Sequence, residues 1–445
     1  MTHDTGLKER RLGGLLAWSI WTLGTLFVIF KFISQTVYSI INPQIARDLY
    51  LSMAEIGFLG SVYTFATALA LPFGVLFDLL GARLILALAM ALISLGGVIF
   101  CMSDTWYSII LGQFLMGVGG AFGFPGAGYL TKHWFKPIHF GVIFGLVQSL
   151  CCIVAGFAQS GIGYLSQAWD WRAIMMAGSG IGIFLTVAIY IIVKDPKEIV
   201  QGSTEKRSAF WGDFYDSIRE VVTNRQIWIV SVPGATTFGV VISIGVLWGI
   251  KVLLVRGFDP VTASNINSFL WIGLAAGAPL IAMFANKINS HKTPLTIFTF
   301  GLCVTVFYLL FSGILQLWQA YLTFFLIGFF SAAQMVSFTM ATELCRGKVA
   351  GTAISFVNMI MFIVSGALIS LPAKTLRIDN LDLQQLQNAL MAMPITLVIS
   401  CFFIIFLKET KGILPKEEVV AAAAGEKAFG VSSAAGVSEP SSDSH

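Results

Sequence analysis

The chain has 445 residues, of which 56% are hydrophobic and only 11% are charged, and its formal net charge is +4. An average soluble domain has roughly 25% charged residues, so this chain lacks the polar groups needed to cover a wetted surface. The composition therefore predicts an integral membrane protein, and the small net charge gives no reason to expect a nucleic-acid partner.

Apolar segments long enough to cross a bilayer follow one another along the sequence. A helix satisfies its own backbone hydrogen bonds in lipid, so a run of about 20 apolar residues predicts one span. Strand-like alternation is absent, which predicts an all-α fold. We predict twelve spans, at residues 15–43, 54–77, 84–103, 106–130, 139–164, 172–193, 226–255, 263–285, 294–314, 317–342, 349–371 and 388–407.

Basic residues are distributed unevenly between the predicted loops. The first span follows Lys8, Arg10 and Arg11, but it is too long for a signal peptide and lacks a cleavage site, so we expect it to be retained. With the N-terminus inside, few of the 27 Lys and Arg residues fall on the outer side, and Lys31 alone falls in the membrane. The positive-inside rule then predicts a multi-pass protein of the bacterial inner membrane with both termini in the cytoplasm. The outer basic residues are Arg47, Arg172, Lys251, Arg256, Lys374 and Arg377.

The sequence divides into two similar halves. GVIFGLVQ at residues 141–148 opens span 5, and GTAISFVN at 351–358 opens span 11, each with a carboxamide seven residues after a glycine. Two parallel six-helix halves with a site between them are typical of transporters. We predict a cytoplasmic N-terminus (1–14), a six-helix bundle (15–193), a cytoplasmic linker (194–225), a second six-helix bundle (226–410) and a disordered cytoplasmic tail (411–445).

Specific motifs support this reading. PFGVLFDLLGAR at 72–83 resembles the signature loop between helices 2 and 3 of the major facilitator superfamily, and AMFANKINSHK at 282–292 resembles its degenerate counterpart. GQFLMGVGGAFGFPG at 112–126 is similar to the family's fourth-helix motif, and WDWR at 169–172 to the start of its sixth helix. The resemblance implies two pseudo-symmetric six-helix bundles and alternating access. It also implies a cytoplasmic gate that contains Gly74, Asp78, Gly81 and Arg83.

The chain departs from the family pattern at two positions. Leu79 stands where the loop motif usually has a basic residue, so Asp78 has fewer charged neighbours in this chain. Gln113 stands where the fourth-helix motif normally begins with arginine. That arginine is associated in the family with proton-coupled antiport, so its absence argues against a proton-driven drug exporter.

Lys31 is the main candidate for a functional residue. A charge at the centre of a membrane helix costs roughly 2.5–3.5 kcal/mol on insertion scales, and such residues mark functional sites by default. At 100° per residue, Lys31, Gln35, Tyr38 and Asn42 lie within about 60° of one another, with Ser34 at the edge of this stripe. The stripe predicts a cavity lining, and the alternative is a polar seam against a neighbouring helix.

Lys31 has no acidic partner at its predicted depth. A buried cation without a counterion is either deprotonated or available to an anion from solution, so we predict an anionic or zwitterionic small-molecule substrate. Phosphate exchangers of the superfamily place arginines on helices 1 and 7, and span 7 has no cation at its centre, so a monocarboxylate or amino-acid-like solute fits better. Further candidate ligands are Gln148 and Asn358, at equivalent positions of the repeat, and the equal alternative is that these two amides join helices by hydrogen bonds. Gln334 and Gln113 are weaker candidates.

Other kinds of chemistry receive no support from the sequence. The six cysteines lack metal-ligand spacing, and we expect no enzyme, metal or cofactor. We predict a monomeric secondary transporter, symporter or antiporter, with H⁺ or Na⁺ as a possible coupling ion. The alternatives are an exporter of amphiphilic compounds and, in a different class, a nutrient receptor that does not transport.

Overall fold

The computed structural model describes residues 13–70, 76–135, 140–195, 215–345, 349–376 and 382–411. Within these residues, twelve helices are long and apolar enough to cross a membrane, which confirms the predicted all-α fold. We number them in chain order as α1 (Leu15–Thr36), α2 (Met53–Ala70), α3 (Ala82–Cys101), α4 (Trp106–Trp134), α5 (Ile143–Leu165), α6 (Trp171–Ile192), α7 (Arg225–Val255), α8 (Pro260–Ile288), α9 (Lys292–Phe311), α10 (Leu317–Leu344), α11 (Gly351–Ala373) and α12 (Leu383–Ile405). Most of the predicted linker and tail, and Arg377, lie outside the described residues.

The helices form two bundles, α1–α6 and α7–α12. We call the end where α1 begins and α12 ends the termini face, and the opposite end the far face. Within the first bundle α3 packs against α4 and α6, and α1 against α5; within the second, α8 packs against α10, and α7 against α11. The bundles meet mainly where α2 packs on α11 and α5 on α8.

Several helices are interrupted, and the interruptions were not predicted. The α1 helix ends at Thr36, and after Val37 the chain continues as a second helical segment, Tyr38–Asp48, with Pro43 inside it. The α7 helix contains one π-helical stretch, Ile244–Trp248. Such stretches widen the helical turn and often occur at functional sites.

The start of α8 shows how a local signal moves a predicted boundary. The helix begins at Pro260, three residues before the predicted start of span 8. The Asp259 carboxylate accepts hydrogen bonds from the backbone N–H groups of Val261 and Thr262, at 3.1 and 3.0 Å. Proline is favoured in the first turn because its missing N–H would have no partner there. Hydropathy alone missed this polar first turn.

Candidate functional site

Lys31 lies inside the bundle, as its position in the sequence predicted. Its side chain is 8% exposed, and the ammonium lies 5.1 Å from the ring centroid of Phe362 and 5.9 Å from that of Phe32. Phe362 belongs to α11, so the contact reaches from one half of the protein to the other. Among the described residues, the ammonium makes no hydrogen bond or ion pair. Two aromatic faces supply cation–π attraction, which replaces only part of the lost hydration.

The backbone around Lys31 is held by α2 and α4. The Tyr63 hydroxyl donates to the Lys31 carbonyl at 3.1 Å, and Thr67 donates to the Tyr63 carbonyl at 2.8 Å. Gly120 of α4 lies beside both side chains, and a Cβ atom there would sit 3.1 Å from the Lys31 stem. A glycine at this position therefore lets α4 pack closely against Tyr63 and leaves room for the aliphatic part of the Lys31 side chain.

The polar stripe of α1 divides into two parts. Gln35, one turn beyond Lys31, is 1% exposed, and neither its amide nitrogen nor its oxygen has a hydrogen-bond partner among the described residues. The Tyr38 hydroxyl instead donates to the Ile56 carbonyl at 2.6 Å, so its donor is already used. The Asn42 amide donates to the carbonyls of Tyr38 and Ser39, both at 2.9 Å. Lys31 and Gln35 are thus the residues of the stripe whose side chains make no hydrogen bond to a described residue.

The other candidate ligands lie on several helices. Gln148 on α5 is partly buried and donates to the sulfur of Cys152 at 3.1 Å, within its own helix. Gln334 on α10 is 2% exposed, and Asn358 on α11 is partly buried one turn from Phe362. Neither Gln334 nor Asn358 makes a side-chain hydrogen bond to another described residue. Their amides therefore remain available, and no hydrogen bond joins the described side chains of Gln148 and Asn358.

Aromatic and small residues surround Phe362. Its ring packs edge-on against Phe238 of α7, with ring centroids 5.0 Å apart. It also belongs to a buried cluster with Ala68, Ala70 and Ala121, which come from α2 and α4. The side of Lys31 that faces Phe362 is therefore apolar.

The far face is closed by an amide that the sequence analysis did not identify. Gln159 of α5 accepts a hydrogen bond from the indole N–H of Trp271 on α8 at 2.7 Å, and donates to the Ser39 hydroxyl at 2.8 Å. The Gln159 side-chain nitrogen also lies 3.5 Å from the Gly245 backbone carbonyl oxygen. The backbone carbonyl of Gln159 accepts a hydrogen bond from the Ser264 hydroxyl at 3.0 Å. Nothing in the sequence distinguishes Gln159 from other polar residues in apolar helices, because its role depends on the docking of the two halves.

The π-helical stretch of α7 contributes to the same closure. The Gly245 carbonyl accepts a 3.0 Å hydrogen bond from Asn267 of α8. Residues 239–250 of α7 are all buried. All hydrogen bonds between the two halves that involve described residues lie between Lys31 and the far face. Hydrogen bonds between described residues of the two halves are thus confined to that side, whereas the packing of Ala68, Ala70 and Ala121 against Phe362 also joins the halves.

A polar cap on the termini face joins α3 to the residues that follow α6. The Asp195 carboxylate accepts from the backbone N–H groups of Ala82 and Arg83, at 2.6 and 3.2 Å. Gly81, with a φ of +79°, leaves room for this carboxylate. Arg83 donates to the Tyr190 carbonyl at 2.7 Å and lies over its ring. The proposed gate residue Arg83 thus makes its contacts within one half.

The second half repeats this cap. The Glu409 carboxylate accepts from the Ser290 hydroxyl at 2.5 Å and from the N–H groups of His291 and Lys292 at 2.9 and 3.2 Å. Lys292 donates to the Ile405 carbonyl at 2.8 Å, as Arg83 does to the equivalent end of α6. Partial burial raises the pKa of Glu409, but these hydrogen bonds outweigh it and lower the pKa to about 2. The internal repeat therefore extends to the capping chemistry of the loops.

The remaining predicted gate residues are only partly described. Asp78 lies in a short helix, Leu76–Leu80, but its side chain is outside the described structure, as is Gly74 entirely. Gln113 is 2% exposed in α4 and makes no side-chain hydrogen bond to another described residue. The gating role of Asp78 and its neighbours stays a prediction.

Comparisons with known proteins agree with this architecture. A family model described as the Major Facilitator Superfamily matches residues 24–370. An uncharacterized transporter of Bacillus subtilis, YybO, is 23% identical over 66% of this chain and 72% of its own length. A probable hexose phosphate transport protein of Chlamydia pneumoniae is 24% identical over 77% of this chain and 81% of its own. A probable L-galactonate transporter of Escherichia coli is 26% identical over 45% of this chain and 46% of its own.

Solved structures show the same fold. A bacterial homologue of the human lysosomal transporter Spinster, in an inward-facing and unoccupied conformation, superposes with a TM-score of 0.67 and 16% identity. That comparison covers 89% of this chain and 97% of the other. The occupied form of the same homologue gives a TM-score of 0.68, with 87% of this chain and 96% of the other covered.

Proposed function

Because the chain belongs to the Major Facilitator Superfamily, and is therefore a membrane transporter of a small solute and not an enzyme, we propose that it carries an organic carboxylate. The solute we propose is a monocarboxylate or an amino-acid-like molecule, moved across a bacterial inner membrane by alternating access. The single observation that carries this proposal is the buried, unpaired ammonium of Lys31.

The charge inventory supports an anionic ligand. Among the described residues that are buried, Lys31 is the only Lys, Arg, Asp or Glu. The described acidic residues near the helix ends have partners of their own: Asp48 and Asp104 bind Arg172, and Glu343 pairs with His291. A buried cation that lacks a counterion is costly, and a ligand carboxylate would supply one.

The number of cations limits the ligand. One ammonium neutralises one carboxylate, whereas a phosphate ester or a dicarboxylate would bring a second negative charge into the membrane without a partner. Lys251, the lysine of α7, lies near the far end of that helix. A single carboxylate is therefore the best match. This distinguishes the proposal from the hexose phosphate named for the chlamydial relative.

The uncommitted amides would recognise the remainder of the solute. Gln35 has both hydrogen-bonding atoms free, and Gln334 and Asn358 have uncommitted side chains in the second half. An amide that can donate and accept suits a carboxylate oxygen, a hydroxyl or an amine. Binding between amides of the two halves would couple the solute to the movement of one half against the other.

The pattern of closure supports alternating access. In this structure the hydrogen bonds between described residues of the two halves lie toward the far face, and the site lies on the termini side of them. The distribution of basic residues in the sequence places the termini face in the cytoplasm. Closure of the face opposite the cytoplasm is one of the states that alternating access requires.

A second candidate solute rests on the rings beside Lys31. Phe32, Phe238 and Phe362 give the site an apolar side, which an exporter of amphiphilic compounds would use. We do not propose a non-transporting receptor, because the named relatives are transporters.

The proposal is tested by thermal stabilisation of the purified protein against carboxylates, amino acids, sugars, sugar phosphates and amphiphilic cations. A ligand that binds only the folded protein raises its melting temperature by mass action. We expect small carboxylates to stabilise the protein, and their neutral amides or alcohols to have no effect. Stabilisation by amphiphilic cations but not by carboxylates would favour the exporter instead.

A further inference from the structure

The outer surface of the second bundle carries a groove that transport does not explain. It lies between the start of α7 and the end of α12, at the termini face, and has a volume of about 450 Å³. A cavity of this size is large enough for a drug-sized molecule, and its walls are almost entirely apolar. The lining residues are Arg225, Trp228, Ile229, Val232, Phe402, Phe403 and Phe406.

Two basic residues lie near the termini end of this groove, which we call its mouth: Arg225 lines the groove, and Lys408 is close to it in sequence. Arg225 is the first residue of α7, Lys408 follows the last groove residue by two positions, and both are exposed. Neither side chain makes a hydrogen bond or an ion pair with another described residue. Glu409, the residue after Lys408, is bound to Ser290 and His291. The two basic side chains are therefore not hydrogen-bonded or ion-paired to a described carboxylate.

Gln226 holds the two helix ends that border the mouth against each other. The Gln226 amide donates to the Phe406 carbonyl at 3.4 Å and accepts from the Lys408 backbone N–H at 3.0 Å. These two contacts tie the first turn of α7 to the end of α12. The Lys408 backbone is therefore held next to the first turn of α7, which begins with Arg225.

Trp228 indicates how deep the groove lies in the membrane. Its indole N–H donates to the Val222 carbonyl at 2.8 Å, and its ring packs edge-on against Phe356. Tryptophan is enriched at the boundary between lipid headgroups and hydrocarbon. The apolar part of the groove therefore begins where acyl chains begin, and the two bases lie at the level of the headgroups.

We infer that this groove binds an anionic phospholipid, with an acyl chain against the phenylalanines and the phosphate between Arg225 and Lys408. Basic mouths of apolar grooves between membrane helices suit lipid headgroups of negative charge. Arginine binds phosphate through its planar fork, and lysine adds a point charge. The inference does not depend on which solute is transported.

A second groove on the same bundle provides an internal comparison. It lies between α9 and α12, has a volume of about 420 Å³, and is lined only by uncharged residues: Cys303, Val304, Phe307, Met391, Pro394, Ile395, Val398 and Ile399. An acyl chain would enter either groove, but only the first has charges that select a headgroup. The two grooves together predict one anionic-lipid site on this bundle surface.

The test uses delipidated, purified full-length protein and three variants: Arg225→Ala, Lys408→Ala and the double variant. Lys287→Ala is the matched control, since it removes an exposed base near the termini end of α8, outside the groove. Each protein is titrated with phosphatidylglycerol, with phosphatidylcholine of the same chains, and with glycerol phosphate, which has no chains. Retained lipid is counted by native mass spectrometry, and stability is followed by melting temperature.

We expect the wild type and the Lys287 variant to prefer phosphatidylglycerol over phosphatidylcholine, and to ignore glycerol phosphate. Each base near an anionic headgroup contributes roughly a fivefold preference, so the double variant should lose about thirtyfold and bind the two lipids alike. A double variant that keeps the wild-type preference would overturn the inference. So would a wild type that does not distinguish the two lipids, or one that binds glycerol phosphate as tightly as the lipid.

Discussion

Replacing Gln159 by leucine should weaken the closure of the far face. Leucine is similar in volume but removes the hydrogen bonds with Trp271 and Ser39, of 2.7 and 2.8 Å. The 3.5 Å approach to Gly245 is too long to add much. Of the two short bonds, only the one with Trp271 crosses between the halves, because Ser39 and Gln159 lie in the same half. One buried hydrogen bond contributes about 0.5–1.5 kcal/mol, so the closed far face should lose about that much relative to the open one. That loss shifts the ratio of closed to open molecules by roughly twofold to tenfold.

The shift can be measured as a distance between spin labels across the far face. Tyr107 of α4 is 83% exposed and Ile314, just beyond α9, is 97% exposed, so each accepts a label without disturbing the core. In a background without the six native cysteines, Gln159→Leu should increase the long-distance population. Gln167→Leu is the control, because Gln167 is exposed at the far end of the same helix region. An unchanged distance distribution in Gln159→Leu would refute the role of Gln159 in the closure.

Three further predictions concern the termini face. Asp78→Asn should slow transport while leaving ligand affinity unchanged, if Asp78 belongs to the gate; an equal loss of affinity would contradict that role. Glu409→Gln should lower the melting temperature at pH 7. Because the pKa of Glu409 is about 2 in the folded protein against an ordinary 4.5, this difference should persist above pH 4.5 and shrink as the pH falls toward 2. A pH-independent difference would argue against the carboxylate as the cause. Gly81→Ala should destabilise the protein by about 1 kcal/mol or more, since its φ is +79° and the Asp195 carboxylate fills the space of a Cβ atom; an unchanged melting temperature would contradict this.

Hydropathy and charge predicted the fold because the bilayer requires every span to be an apolar helix of about 20 residues. All twelve spans were predicted, and some differences lie at their ends, as at Pro260, where a capping aspartate extends α8. The interruption after Thr36 and the π-helical stretch at Ile244–Trp248 were missed. Both depend on how one helix docks against others, which the pattern of apolar residues does not record.

The candidate site was predictable only in part. Lys31 stood out because a charge within a membrane helix is rare, and its burial agrees with the prediction. Helical spacing grouped Tyr38 with Lys31, but it did not reveal that the Tyr38 hydroxyl reaches the Ile56 carbonyl on another helix. Gln159 was missed because its partners, such as Trp271, lie in the other half of the chain. Spacing along one helix identifies which residues share a face, whereas partners across helices require the packed structure.

The central claim is that Lys31 meets a carboxylate, and the most direct test measures ligand affinity and melting temperature on the same purified variants. The ligand is the carboxylate that most stabilises the wild type. Lys31→Gln removes a charge-assisted hydrogen bond of about 1.5–3 kcal/mol, so we expect affinity to fall roughly tenfold to a hundredfold. The protein should stay folded, because a neutral side chain is cheaper to bury than a charge. Lys31→Arg should retain part of the affinity, as a planar fork replaces a point charge. A stable Lys31→Gln protein with wild-type affinity for the carboxylate would contradict the claim.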